Sequence, residues 1–217
     1  MNDLVAAAHQ AAATIEHPWD QRAVEWPLNQ DSVVVDVGGY IGRWALQIAE
    51  RYQPRLYVFE PQPWAAEVCR AALGERAIVE GYGLGIRNAN EIMHRWETDG
   101  CSFVYYYTTG PQHTGEMREI GETFRKLEIT HIDLMMMNIE GYEYSLIPHM
   151  LGHGILPDRL MVQFHNFTDP DDRQLTYIYE RLAGLGYTIP WSYGRHLTAW
   201  ERQLQAAPRK RGKKVRT

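Results

Sequence analysis

The stretch from Ser32 to Glu60, SVVVDVGGYIGRWALQIAERYQPRLYVFE, constrains this chain more than any other. Val33, Val34 and Val35 form a continuous β-branched run, the pattern of a strand buried on both faces of a parallel sheet. Asp36 closes that run, and Gly38, Gly39 and Gly42 follow, so a tight turn with close approach of a ligand to the backbone is expected. Trp44, Ala45, Ile48 and Ala49 then recur at helical spacing before a second apolar run, Leu56 to Phe59, which ends on Glu60. Strand, glycine turn, helix and second strand, with a carboxylate at each strand end, describe a nucleoside pocket.

The rest of the chain extends the same alternation. Trp64 to Leu73 reads as a helix with Pro63 at its start and Gly74 at its end, and Ala77 to Gly81 as a short third strand. Ile132 to Met137 is a fourth buried strand ending in Asn138-Ile139-Glu140-Gly141, with a helix from Tyr142 to about Met150 after it. Arg159 to Phe164 is the fifth strand and terminates at His165-Asn166. Leu175, Ile178, Tyr179, Leu182 and Leu185 make the apolar stripe of a helix that Gly186 stops, and Tyr187 to Tyr193 with Leu197 to Trp200 read as a closing antiparallel hairpin. The alternation predicts an α/β fold, a doubly wound and mostly parallel sheet with right-handed crossovers.

Two stretches are less regular. Residues 3–16 are alanine-rich and predict an N-terminal helix, followed by an irregular stretch through Trp19, Trp26 and Pro27 that covers one end of the pocket. Between Gly81 and Lys126 only Ile92 to Trp96 and Ser102 to Thr108 suggest strands, while Thr108 to Gly115 reads as an exposed loop beside the pocket, a lid or acceptor-binding element. Tyr105, Tyr106 and Tyr107 are read as strand packing rather than a ring-stacking platform.

Composition bounds the partners. At 217 residues with 45% hydrophobic content, the chain is sized for one compact domain. Six basic residues fall in the last nine positions, and removing them from a formal net charge of −5 leaves the remainder near −11. So acidic a body argues against a nucleic-acid or anionic-membrane groove, and the basic end reads as a disordered tail. Cys69 and Cys101 are the only cysteines, there is no secretory leader pattern and no apolar run of spanning length, so a cytoplasmic protein without a membrane span is expected.

The turn discriminates between nucleoside ligands. A dinucleotide fingerprint needs GxGxxG, whereas Tyr40 stands where its second glycine belongs and would obstruct a pyrophosphate. Asp36 would set negative charge beside two phosphates, but it suits the ammonium and sulfonium of S-adenosylmethionine. On that reading Asp36, Gly38, Gly39, Tyr40, Gly42, Glu60, Pro61, Leu84 and Ser102 bind the cofactor, Glu60 taking the ribose hydroxyls and Asp36 the methionine ammonium. Trp64 is read as a helix-start aromatic before an adenine cover. A nicotinamide-dependent oxidoreductase is the disfavoured competitor.

Three blocks, Val35 to Gly42 (VDVGGYIG), Phe59-Glu60-Pro61, and Ile132-Asp133-Leu134 leading to Ile139-Glu140-Gly141-Tyr142-Glu143, make the chain resemble the FkbM family of S-adenosylmethionine-dependent methyltransferases over most of residues 30–195. The resemblance implies a class I methyltransferase fold, Rossmann-like and seven-stranded, and O-methylation of a hydroxyl on a sugar, glycan or secondary metabolite, with S-adenosylhomocysteine as product. Residues 1–206 are then one methyltransferase domain with residues 1–30 as a helical cover, and 207–217 the tail. The chain departs from the family at Asn138, where an aspartate is common; an amide is neither a general base nor as good a metal ligand as a carboxylate. That departure keeps a second reading open, a cofactor-binding but catalytically reduced module that binds a partner.

The carboxyl ends of the fourth and fifth strands should border the methyl group, which nominates Asn138, Glu140 and His165 as catalytic. His165 is expected as general base, since imidazole titrates near working pH, with Glu140 as its orienter or as a ligand of the acceptor hydroxyl. His149 and His153 have the i, i+4 spacing of a helical metal pair, but no third ligand stands out and Gly152 and Gly154 interrupt the helix. They are read as helix-end histidines, and no metal is expected.

Overall fold

In the computed structural model, which describes residues 22–95, 101–104, 113–165, 167 and 169–203 together with positions 3, 5, 6 and 10, the valine run forms strand β1, Val33–Val37. Helix α1 (Arg43–Tyr52), β2 (Arg55–Phe59), α2 (Pro63–Leu73) and β3 (Ile78–Glu80) follow. After an intervening segment come β8 (Leu134–Met137), α4 (Glu143–Gly152), β9 (Arg159–Gln163), α5 (Arg173–Gly184), β10 (Tyr187–Tyr193) and β11 (Leu197–Arg202). These strands make a seven-stranded sheet in the order β10-β11-β9-β8-β1-β2-β3. All pairs are parallel except those of β11 with β9 and β10, the expected closing hairpin.

Strand alternation explains the layers. Val35, Val37, Tyr57, Phe59, Met135 and Met137 point to the side packed by Leu146, Ile147, Leu175 and Leu182 of α4 and α5. Val34, Leu56, Val58, Leu134 and Met136 point to the opposite side, against Leu46, Ile48, Val68 and Leu73 of α1 and α2. A strand whose both faces are covered must be apolar at every position, hence the runs VVV and LMMM. Each such side chain contributes about 1.5–3 kcal/mol on burial. Ala23, Val24, Trp26 and Leu28 join the second layer, so the part of the N-terminal cover within the described residues packs on the sheet.

The weakly patterned segment holds a second sheet. β4 (Gly83–Gly85), β5 (Ala89–Arg95), β6 (Cys101–Ser102) and β7 (His113–Glu119) pair in the order β4-β7-β5-β6, and α3 (Ile120–Lys126) follows. β5 overlaps the expected strand at Ile92, and β6 begins where Ser102 to Thr108 was expected. β7 and α3 escaped the sequence reading. β7 buries only Gly115 and Met117, so HTGEMRE carries no apolar run; α3 spans only seven residues and starts on Glu119, whose side chain caps Gly121 and Glu122. Residues 113–115, expected in a loop, belong to β7. Trp19, Trp96, Tyr105 to Tyr107, positions 108–112, Asn166, the tail at 207–217 and most of the helix at 3–16 lie outside the described residues.

The turn after β1 is fixed by close packing. Gly38 and Gly39 both donate their amides to the Phe59 carbonyl, at 2.9 and 3.2 Å. Gly38 has φ +89°, and a Cβ on it would lie 2.0 Å from the Asn138 carbonyl oxygen; one on Gly39 would lie 2.1 Å from Val58 Cγ1. Substitution Gly38→Ala therefore combines left-handed strain with a backbone clash and should lower stability by roughly 2–4 kcal/mol. At Gly74, whose φ of +57° and ψ of −133° also disfavour a side chain but around which space is open, alanine carries the backbone strain without the clash, about 1–3 kcal/mol, and should cost less than at Gly38. Urea denaturation midpoints compare the two.

Candidate active site

The chain runs from β1 outward to β2 and β3, then returns to the other flank of β1 with β8, so the sheet's switch point lies between β1 and β8. A crevice opens at the carboxyl ends of these strands. One part, about 190 Å³, is lined by Phe59, Glu60, Pro61, Gln62, Leu84, Cys101, Phe103, Glu140 and Tyr142. The other, about 200 Å³, is lined by Ala23, Asp36, Gly39, Arg43, Trp44, Gln47, Met136 and Gln163. Gly38, Tyr40 and Asn138 border both parts.

Each part has a buried acid. Asp36 is 2% exposed and Glu60 4% exposed. Loss of hydration, followed by the charge of Glu60, pushes the Asp36 carboxyl up from 3.8 to about 8. Burial likewise raises Glu60 from 4.5 to about 7, against the lowering effect of two backbone hydrogen bonds. Those bonds come from the Gln62 amide to Oε1 at 2.8 Å and from the Tyr40 amide to Oε2 at 2.7 Å. Each oxygen keeps a second lone pair for a ligand hydroxyl. Tyr40 reaches this position through a left-handed backbone, φ 47°, and its ring meets Trp64 edge-on at 5.4 Å. Trp64 thus supports the turn from behind, its indole donating to Gln62 at 3.2 Å.

The turn after β8 mirrors the first. Glu140 has φ 54° and Gly141 φ 97°. The hydroxyl of Ser102, a residue 1% exposed, donates to the Glu140 carbonyl at 2.5 Å and accepts from the Val104 amide at 2.9 Å. Ser102 thus anchors the β8 turn, while its neighbours Cys101 and Phe103 face the crevice in its place. Gly42 likewise packs on Cys69 and does not line the crevice.

Glu140 Oε2 lies 3.3 Å from His165 Nε2, and His165 Nδ1 lies 2.9 Å from Glu143 Oε1. Glu143 is wholly buried and also accepts from the Ile139 amide at 3.0 Å, leaving its Oε2 without a protein partner. Burial opposes the imidazolium, but the hydrogen bond and charge of Glu143 and the charge of Glu140 outweigh it, so His165 titrates above its ordinary range. Glu140 is also raised, by burial foremost. Both acids thus contact the imidazole, Glu140 as expected at Nε2 and Glu143 in addition at Nδ1, and Glu140 lines the crevice whereas His165 stands behind it. Glu143 was visible as the last residue of IEGYE; its spacing, one helical turn after Ile139, was the available signal. Arg43, the first residue of α1 and part of the crevice wall, was also missed, although a cation just after a glycine turn marks an anion-binding helix start. Asn138 Oδ1 is buried and makes no protein hydrogen bond, so a ligand donor would satisfy it.

No protein-family model and no curated protein matches this sequence. Solved structures do match. A protein assigned as an rRNA methylase from Clostridium thermocellum superposes with a TM-score of 0.56 at 11% identity, covering 89% of this chain and 99% of that one. An rRNA methylase from Streptococcus thermophilus gives 0.51 at 15% identity over 88% of this chain and 100% of that one. A protein assigned as an O-methyltransferase from Klebsiella pneumoniae gives 0.51 at 12% identity over 93% and 89%. The fold is the class I methyltransferase fold. Among the described residues no helix is long and apolar enough to cross a membrane.

The two raised acids make stability depend on pH. Each binds its proton more tightly folded than unfolded, so the folded state holds more protons between about pH 4 and pH 8, and its stability falls as pH rises through that window. Thermal midpoints of the ligand-free protein should drop from about pH 5 to about pH 8.5, and Asp36→Asn should remove most of that slope.

Proposed function

We propose that this chain is an S-adenosylmethionine-dependent O-methyltransferase acting on a hydroxyl of a sugar, glycan or secondary metabolite. The observation that carries the reading is the pair of buried acids, one in each part of a crevice at the switch point of a class I methyltransferase fold. Its chemistry fits the cofactor. Glu60 would accept from the ribose hydroxyls, Leu84 and Phe103 would flank the base, Asp36 would face the ammonium, and Arg43 with the amino end of α1 would face the carboxylate. Asn138 Oδ1 offers a further acceptor. FkbM-type motifs at Val35 to Gly42, Phe59 to Pro61 and Ile139 to Glu143 support the same reading.

S-adenosylmethionine supplies an electrophilic methyl group on a sulfonium. What remains for the protein is to position an acceptor oxygen, exclude water and take a proton. Glu140 is a third carboxylate on the crevice wall, and with Glu60 and Asp36 assigned to the cofactor its raised affinity for protons suits it to receive one from an acceptor hydroxyl. His165, held as an imidazolium by Glu143 at Nδ1, stabilises the ionised form of Glu140 through Nε2, and the proton that Glu140 takes leaves to solvent through the open crevice when the product departs. A carboxylate is thus present although Asn138 is not one, which favours an active enzyme over a reduced module.

Action on rRNA belongs to those structural neighbours, and the acidic balance of residues before 209 disfavours a nucleic-acid acceptor here. Incubation with methyl-labelled S-adenosylmethionine and separate glycan, small-molecule and RNA pools tests the acceptor class, label in the first two being expected. Glu140→Gln should reduce transfer by about 10²–10⁴-fold. Glu143→Gln should move the alkaline limb of the rate profile to lower pH, because His165 loses the hydrogen bond and charge that keep it protonated beside Glu140. Wild-type rates in both Glu140→Gln and His165→Ala would sink the assignment, and cofactor binding without transfer to any pool would favour the reduced module.

A further inference from the structure

Away from the crevice, Glu119, His149 and His153 converge where the small sheet meets α4, and none of the three lines either part of the crevice. As expected from its glycines, α4 ends here, at Gly152, with His153 as its C-cap and Gly154 in a left-handed conformation beyond it. The i, i+4 register survives, with the two imidazole rings 4.4 Å apart. The third donor, invisible in sequence, arrives from the end of β7. Glu119 Oε1 lies 2.8 Å from His149 Nε2 and 3.9 Å from His153 Nε2, and the three donor atoms fall within 4.8 Å of one another.

We propose that Glu119, His149 and His153 bind a divalent transition metal of the Zn²⁺ class and thereby clamp the small sheet to α4. Tetrahedral zinc with bonds of about 2.0–2.2 Å to nitrogen and oxygen sets its ligands roughly 3.3 Å apart. The two separations above bracket that value and the third lies within 4.8 Å, so shifts of about 1.5 Å or less complete the geometry. A simple hydrogen bond accounts for His149 but not for His153, whose nitrogen lies beyond hydrogen-bond reach of Glu119 yet faces it. Room for that ring depends on Gly121, where a Cβ would stand 3.1 Å from His153 Nδ1.

Glu119 is held ready for the role. Its carboxylate accepts the Gly121 and Glu122 amides at 2.9 and 2.6 Å. Burial alone would raise its pKa, but the Gly121, His149 and Glu122 hydrogen bonds reverse that and keep it ionised, as a ligand must be. The His153 side chain is 42% exposed, which leaves a path for the ion and a fourth position for water. A second cluster, His131 with Asp133 and Asp158, offers one imidazole in place of two, and the Arg202 cation already pairs with Asp158 at 3.5 Å.

Titration of the full chain with ZnCl₂ by calorimetry should give one bound equivalent and a raised thermal midpoint. His153→Ala, an exposed helix-end change that leaves the Glu119 cap intact, should weaken binding more than about tenfold, and His131→Ala should leave it unchanged. Co²⁺-loaded protein should show visible ligand-field absorption that His153→Ala abolishes. No bound equivalent, binding retained in His153→Ala, or binding lost in His131→Ala would each overturn the proposal. None of these readouts depends on methyl transfer, so the site stands or falls separately from the proposed activity.

Discussion

Burial of Asp36 and Glu60 together, at the carboxyl ends of adjacent parallel strands, is the constraint on which the site depends. The β1–β2 register pairs Val37 with Phe59, so the residues on either side of that pair bring both acids to one edge. Neither acid gains from hydration, and the charge of Glu60 adds to the cost of ionising Asp36. An apolar pair at these positions would make a more stable sheet. The molecule also holds two non-glycine residues in left-handed conformations on the crevice, Tyr40 and Glu140. Strain and desolvation collected at one crevice are the signature of a surface organised for a ligand.

The second half of the site follows from the same switch point. β8 lies beside β1, and the close approach of Gly38 to the Asn138 carbonyl ties the two turns together. Ser102 then fastens the β8 turn to the small sheet. The segment least readable in sequence thus positions Glu140, and among its described residues Leu84, Cys101 and Phe103 line the crevice, with Gly83 at the edge.

What was legible in sequence was whatever both-face burial or glycine geometry imposes. The runs at Val33, Leu56, Leu134 and Arg159 predicted strands that the sheet contains, and the closing hairpin was readable from Tyr187 onward. β7 and α3 were not readable, because one buries a glycine and a methionine and the other is too short to show a period. Asp36, Glu60 and Glu140 stood out as acids following apolar runs. Their second contacts did not: Glu143 reaches His165 across 22 residues and Glu119 reaches His149 across 30, distances that no local pattern encodes. Ser102 shows the converse, a polar residue in the right region whose hydroxyl is consumed by backbone.

The central claim is that two protonatable acids wait in this crevice for a cationic nucleoside. Calorimetric titration of S-adenosylhomocysteine, run in two buffers of different ionisation enthalpy with NAD as competitor, addresses it most directly. The account predicts one equivalent bound, protons released on binding, tighter binding at about pH 8 than at about pH 6, and no competition from NAD. Absence of binding, or proton uptake in place of release, would contradict it.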